Sequence, residues 1–269
     1  MERTITTCLV FQKEMLKLAE YENLRSELNL MGCITGVFDY KPHKDNVFSC
    51  SGNPDIEAAI GSIQFLKSSG RWLGNTLNGS LFTPELHYYS QYQFKIPSEI
   101  KLNNKSLVLP FSEIKRRGIK SLLESLGEPL HEHIFIKPDQ SLKVCESTVE
   151  SDSSWEHWCT YTSEKTGVQE TSFIWFSPVK KIKKEYRCLI SNKKATSASL
   201  YGFNVLPKNE DDNAALLDFA SSAASSIELN DPSYMMDIAE TDDGFKVIEL
   251  NCLSTSGLYA LNTKALANA

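Results

Sequence analysis

A chain of 269 residues is long enough for one large α/β domain or for two small lobes sharing a cleft. With 41% hydrophobic and 23% charged residues it can bury a core, which excludes a disordered, collagenous or mucin-like protein. The formal charge of -6 argues against a protein that holds duplex DNA by neutralising phosphates. The cysteines (Cys8, Cys33, Cys50, Cys145, Cys159, Cys188, Cys252) are far apart and show no C-x-x-C, so they read as reduced thiols of a cytoplasmic protein. No run of about twenty apolar residues occurs, so no membrane anchor is expected.

The first part alternates strand and helix. Ile5 to Phe11 suits a buried strand, Gln12 to Leu28 carries apolar residues at helical spacing, and Cys33 to Phe38 reads as a second strand. Asn53-Pro54, with Asp55 and Glu57 behind, predicts a capped helix running to about Lys67. An aromatic, turn-rich stretch from Trp72 to Phe94 has no clear period. Ser106 to Leu109 reads as a strand and Ser112 to Leu126 as a helix stopped by Gly127 and Pro129. Beyond that point strands and hairpins dominate: Glu132 to Lys137, Ser141 to Ser147, Thr171 to Phe176, Glu185 to Ser191 and Ser197 to Phe203. A helix over Asp212 to Leu229 precedes a last hairpin, Tyr234 to Glu240 and Phe245 to Asn251.

That hairpin is the most informative place in the sequence. With Met236, Ile238, Ile248 and Leu250 as its core face, period two puts Asp237, Glu249 and Asn251 together on the other. If Asp237 lies opposite Glu249, their Cβ atoms are about 4.5 to 5.5 Å apart, where two uncompensated carboxylates repel. A hard cation, Mg2+ with Mn2+ as a substitute, would remove the penalty; the alternative is a pair of solvated edge residues. Lys137 and Lys143 flank the turn Pro138-Asp139-Gln140, where they either grip two phosphates or lie along the surface. Glu185 and Arg187 share a strand face in Glu185-Tyr186-Arg187, and Arg187 suits either a forked contact to phosphate or carboxylate or an internal ion pair. Lys137-Pro138-Asp139 also approaches the K-x-D-G of covalent nucleotidyltransferases, without the glycine. The run Lys180, Lys181, Lys183, Lys184 suits RNA, an acidic peptide or a solvated loop.

The order of these features resembles the ATP-grasp superfamily: strand-end lysine, second lysine, E-Y-R, then D-x-A-E-T-D-D-G-F-K-V-I-E-L-N and a small-residue S-T-S-G-L-Y tail. It is most similar to a compact bacterial and phage clade with an arginine and paired lysines around the nucleotide. The resemblance spans Ile134 to Tyr259. It implies an α+β, ATP-grasp-like fold, with an N-terminal α/β lobe (1–127) and a C-terminal antiparallel-sheet module (128–269) that binds ATP. It further implies that Lys137 and Lys143 hold phosphates, and that Asp237, Glu249 and Asn251 ligate Mg2+. Glu185 would line the nucleotide site, and Arg187 would stabilise the transferring γ-phosphoryl or an acyl phosphate. The backbone near Ser177 and Val179 would bind adenine, and the Ser256-Gly257 turn would lie near the reacting carboxylate. No glycine-rich loop follows the lysines, which leaves Asp152 to Gly167 as the segment to cover the phosphates. The implied activity is ATP-dependent ligation of a small-molecule or peptide carboxylate to an amine or thiol, through an acyl phosphate, with release of ADP and phosphate. The alternatives are a nucleotidyltransferase using Lys137 on nucleic acid ends and a non-catalytic ATP-binding module.

Overall fold

The computed structural model describes residues 8–41, 56–72, 84–127, 133–139, 147–149, 152–201 and 214–269. Three sheets organise them. In the first, β1 (Cys8–Gln12) lies between β2 (Ile34–Phe38) and β3 (Ile56–Ile60), and both pairings are parallel. The crossover between β1 and β2 is α1 (Ala19–Leu30), which buries Tyr21, Leu24 and Leu28 at helical spacing. The helix expected from Asn53 is corrected. Ile56–Ile60 is a strand, and α2 begins only at Ile63 (Ile63–Trp72), after Ser62 accepts the Phe65 N–H on its Oγ at 3.2 Å. A short apolar run next to the buried β1 gains more from parallel pairing than from helix propensity. Asn53 to Asp55 lie outside the described residues.

The aromatic stretch forms two single-turn helices, α3 (Pro84–His87) and α4 (Tyr89–Tyr92). The second sheet has the order β4 (Leu107–Pro110), β7 (Phe173–Pro178), β5 (Ile134–Pro138), β6 (Ser147–Val149), all antiparallel. Since β4 pairs with β7, this sheet draws on residues from both sides of the division expected at 127 and 128. Alternation along β5 and β7 sends Ile134, Ile136, Ile174 and Phe176 into a core with α5 (Phe111–Ser125) and α6 (Asp152–Lys165). Trp155 and Trp158 anchor α6 in that core, and Trp158 meets Phe111 edge-on at 5.7 Å. The opposite face carries Phe135, Lys137 and Trp175. Residues 152–165 are therefore not a cover for the phosphates: apolar anchoring commits them to the far face of the sheet.

The third sheet runs β11 (Gly244–Cys252), β10 (Ser233–Thr241), β8 (Lys184–Ser191), β9 (Lys194–Leu200), again antiparallel. Asn192 (φ 49°) and Lys193 (φ 64°) make the two-residue turn between β8 and β9, the mirror-image turn whose twist matches the strands. One face packs on α7 (Ala214–Ser226), where Ala220, Ala223 and Ala224 let the helix approach closely. The other face places Leu189 and Met235 against Leu9, Phe11 and Tyr21 of the first sheet's layer, together with Leu266 of the terminal α8 (Thr263–Ala267). The third sheet is thus covered on both sides, and β10 is buried from Ser233 to Ala239.

Candidate active site between two antiparallel sheets

The last hairpin pairs Asp237 with Glu249, as period two requires, and then slips: Ile238 faces Val247, so Ile248 is an extra residue. The expected core face is corrected on this point. The bulge resets the alternation, so Val247 joins Leu250 in the core while Ile248 and Glu249 both line a cavity. On the other side of β10, Asp237 faces Arg187 of β8.

Arg187 and Asp237 form a forked pair. Nε donates to Oδ1 at 2.8 Å and Nη2 to Oδ2 at 2.7 Å, while Nη1 donates to the Gly257 carbonyl at 3.0 Å. The two residues are 4% and 0% exposed, so this is a desolvated ion pair. Burial by itself would lower the guanidinium pKa, but the Asp237 charge overrides it and holds Arg187 above its ordinary value. Tyr201 and Tyr259 lie at 4.9 and 5.1 Å from the guanidinium carbon. Tyr259 takes a positive φ of 49°, a strained conformation for a side chain of this size and one held at the site itself.

Asn251 ties the two carboxylates together, its Nδ2 donating to Asp237 Oδ2 at 3.0 Å and to Glu249 Oε1 at 3.2 Å. From the second sheet, Lys137 Nζ donates to Glu249 Oε2 at 2.6 Å and stands 4.4 Å over the Tyr89 ring. Two carboxylates thus meet two cations, one from each sheet. The donors suit a hard divalent ion: all are oxygen ligands converging on one place. Among the described residues no group of three or more His, Cys, Asp or Glu is assembled. Such a site suits Mg2+, which keeps waters and substrate phosphates in its shell.

A cavity of about 260 Å³ opens beside this cluster. Phe135, Pro178, Val179 and Ile248 give it apolar walls, while Lys137, Glu185 and Glu249 supply charge. Of the residues singled out from sequence, Lys137, Val179, Glu185 and Glu249 line it. Arg187, Asp237 and Asn251 join it through the hydrogen bonds above. Ser177 is buried behind the wall, donating to Asn103 Oδ1 at 3.3 Å. Lys143 lies outside the described residues, as does most of the strand expected over Ser141 to Ser147. The basic run is largely paired: Lys181 and Lys183 reach Asp242, and Lys184 reaches Glu240. Sequence reasoning missed Tyr89, Phe135 and Tyr201, which carry no motif; Asn103 had a signal only in its weak likeness to the clade.

Two four-stranded antiparallel sheets enclosing a cavity with cations at one end define an ATP-grasp fold. The family model that matches residues 114–269 is an ATP-grasp domain, family 2 of the clade named for one arginine and two lysines, and the chain belongs to that family. No curated protein matched the sequence. Among solved structures the chain is similar to D-cycloserine synthetase DcsG, with a TM-score of 0.64, 15% identity and 97% of each chain covered. It is also similar to the RimK domain protein ATP-grasp from Sphaerobacter thermophilus DSM 20745, with a TM-score of 0.61, 12% identity and coverage of 97% and 98%. The ATP-grasp ligase PsnB, complexed with minimal precursor, gives 0.55 at 13% identity, with 98% of each chain covered. No helix among the described residues is long and apolar enough to cross a membrane.

Proposed function

We propose that this protein is an ATP-dependent ligase that activates a carboxylate as an acyl phosphate, transfers it to an amine or thiol, and releases ADP and phosphate. One observation carries the reading: Lys137, Glu249, Asn251, Asp237 and Arg187 converge at the end of a cavity between two sheets. Mg2+-ATP, when bound, supplies the transferable phosphoryl group and neutralises its charge. Phe135, Pro178, Val179 and Ile248 offer the apolar walls that a purine needs, with the backbone near Ser177 and Val179 as hydrogen-bonding partner. Glu185 flanks that position.

Lys137 leaves Glu249 for a phosphate oxygen, which frees Glu249 to ligate metal with Asn251 and Asp237, so net charge stays balanced through the exchange. Lys143 is assigned a second phosphate. Arg187 is held by Asp237 with its remaining N–H groups available to a developing negative charge, as positioning and charge compensation dominate phosphoryl transfer. The similar structures include a D-cycloserine synthetase and a ligase complexed with a precursor peptide, which supports a small-molecule or peptide carboxylate as the substrate class here. The layer formed by residues 1–127 is assigned to the acceptor, and the later residues to ATP.

The test is incubation with α-labelled ATP, Mg2+ and a cell extract, followed by thin-layer and denaturing-gel separation. Labelled ADP, dependent on a small carboxylate or amine, supports the ligase. Pyrophosphate as the main product, or label fixed to Lys137, points to nucleotidyl transfer and rejects it.

A further inference from the structure

We propose that Asp139 and Tyr89 are positioning residues of the nucleotide site: Asp139 fixes the turn before α4, and the Tyr89 ring held there aims the Lys137 ammonium. The inference rests on the reading of Lys137 as a phosphate ligand.

Asp139 is 7% exposed, and five hydrogen bonds converge on it. Its carboxylate accepts from the Ser90 N–H at 2.6 Å, the Ser90 hydroxyl at 2.7 Å and the Trp175 indole N–H at 2.8 Å. Its carbonyl accepts from the Tyr89 N–H at 2.7 Å, and its own N–H donates to the Phe173 carbonyl at 3.0 Å. The partners in all these contacts are neutral, so the carboxylate serves as a fixed hub joining β5, β7 and α4. Its position two residues after Lys137 gives the K-P-D run a role unrelated to nucleotidyl transfer.

The ring that Asp139 holds is Tyr89. It meets Trp175 edge-on with centroids 4.6 Å apart and Tyr92 at 5.5 Å, so three aromatic side chains lock one another. Tyr92 Oη accepts from the Leu250 N–H at 3.3 Å, next to Glu249, so the same short helix reaches both sheets. Lys137 stands over the remaining face of the Tyr89 ring. A lysine stem is flexible, and a ring beneath its ammonium narrows the positions it samples without using a hydrogen bond that phosphate will need. Neither Asp139 nor Tyr89 lines the 260 Å³ cavity, so both act through Lys137.

A double-mutant cycle on ATP affinity, measured by calorimetry with Mg2+ on the full chain, tests this. Lys137→Met should weaken ATP about tenfold or more. Tyr89→Leu should weaken it roughly 3- to 10-fold, and Tyr89→Phe, which keeps the ring, should bind like the parent. The deciding result is that Tyr89→Leu costs nothing further once Lys137 is Met. Asp139→Asn, whose amide no longer accepts from all three donors, should follow Tyr89→Leu and carries the cycle if the leucine variant fails to fold. An equal loss in both backgrounds would mean ordinary packing and overturn the inference. A Lys137→Met protein that binds ATP normally would instead remove the phosphate reading on which it stands.

Discussion

Arg187 and Asp237 face each other across β8 and β10 and join through two parallel N–H···O bonds in a site closed to solvent. The pair does two things at once. It holds a guanidinium beside the expected phosphate position, and it contributes a carboxylate edge to the metal position through Asn251. It also makes stability and activity separable by mutation. Asp237→Asn or Arg187→Met should each cost about 3 to 5 kcal/mol, because each leaves a buried charge without its partner. The double variant Arg187→Met, Asp237→Leu should recover most of that loss while remaining inactive. Urea unfolding of the three proteins checks the pattern, and simple additivity would contradict it.

Glu249 is the carboxylate that changes partner. Glu249→Gln should leave the fold near parental stability, since its side chain sits at the cavity margin, 15% exposed. Turnover should fall roughly 100-fold or more, as an amide holds Mg2+ poorly. Titrating Mn2+ into the variant with ATP present reads the weakened metal site directly. Undiminished Mn2+ affinity would move the metal elsewhere.

Gly61 is a packing constraint close to the acceptor side. A Cβ there would stand 2.5 Å from Phe65 Cδ1 and 2.8 Å from Gln12 Cβ, in a place where the Phe65 ring is fully buried. Gly61→Ala should therefore destabilise by about 1 to 3 kcal/mol through overpacking. A melting temperature equal to that of the parent would show that the neighbours shift freely.

The thiols report on burial. Desolvation, opposed in part by Lys115, pushes the Cys159 pKa up to about 11, so the thiol stays neutral through the usual working range. The raised value belongs to the folded state, so stability drawn from this group is complete at neutral pH and declines as pH rises through 9 towards 11. Alkylation of native Cys159 at pH 8 should be far slower than after unfolding. Equal rates would contradict the placement of α6.

Much of the site was legible because it sits on a hairpin whose alternation is visible in the residues themselves: Asp237, Glu249 and Asn251 share a surface as period two demands. The bulge at Ile248 was not legible, since one extra residue leaves the local apolar pattern unchanged and only the neighbouring strand reveals the slip. The choice between ligand contact and internal ion pair for Arg187 was open in sequence, and Asp237 closes it through a partner 50 residues away. Tyr89 and Asp139 meet across a similar separation from a stretch without periodicity, where only three-dimensional packing carries the signal. Residues 56–60 were misread because a capped-helix motif preceded them, and pairing to β1 decided the outcome.

The most direct measurement is a crystal structure with Mg2+ and a non-hydrolysable ATP analogue. The base should lie between Phe135, Pro178, Val179 and Ile248, with the Lys137 ammonium on a phosphate oxygen and the metal on Glu249 and Asn251. An analogue bound outside the two sheets, or Lys137 still on Glu249 with the phosphates ordered beside it, would contradict the central claim.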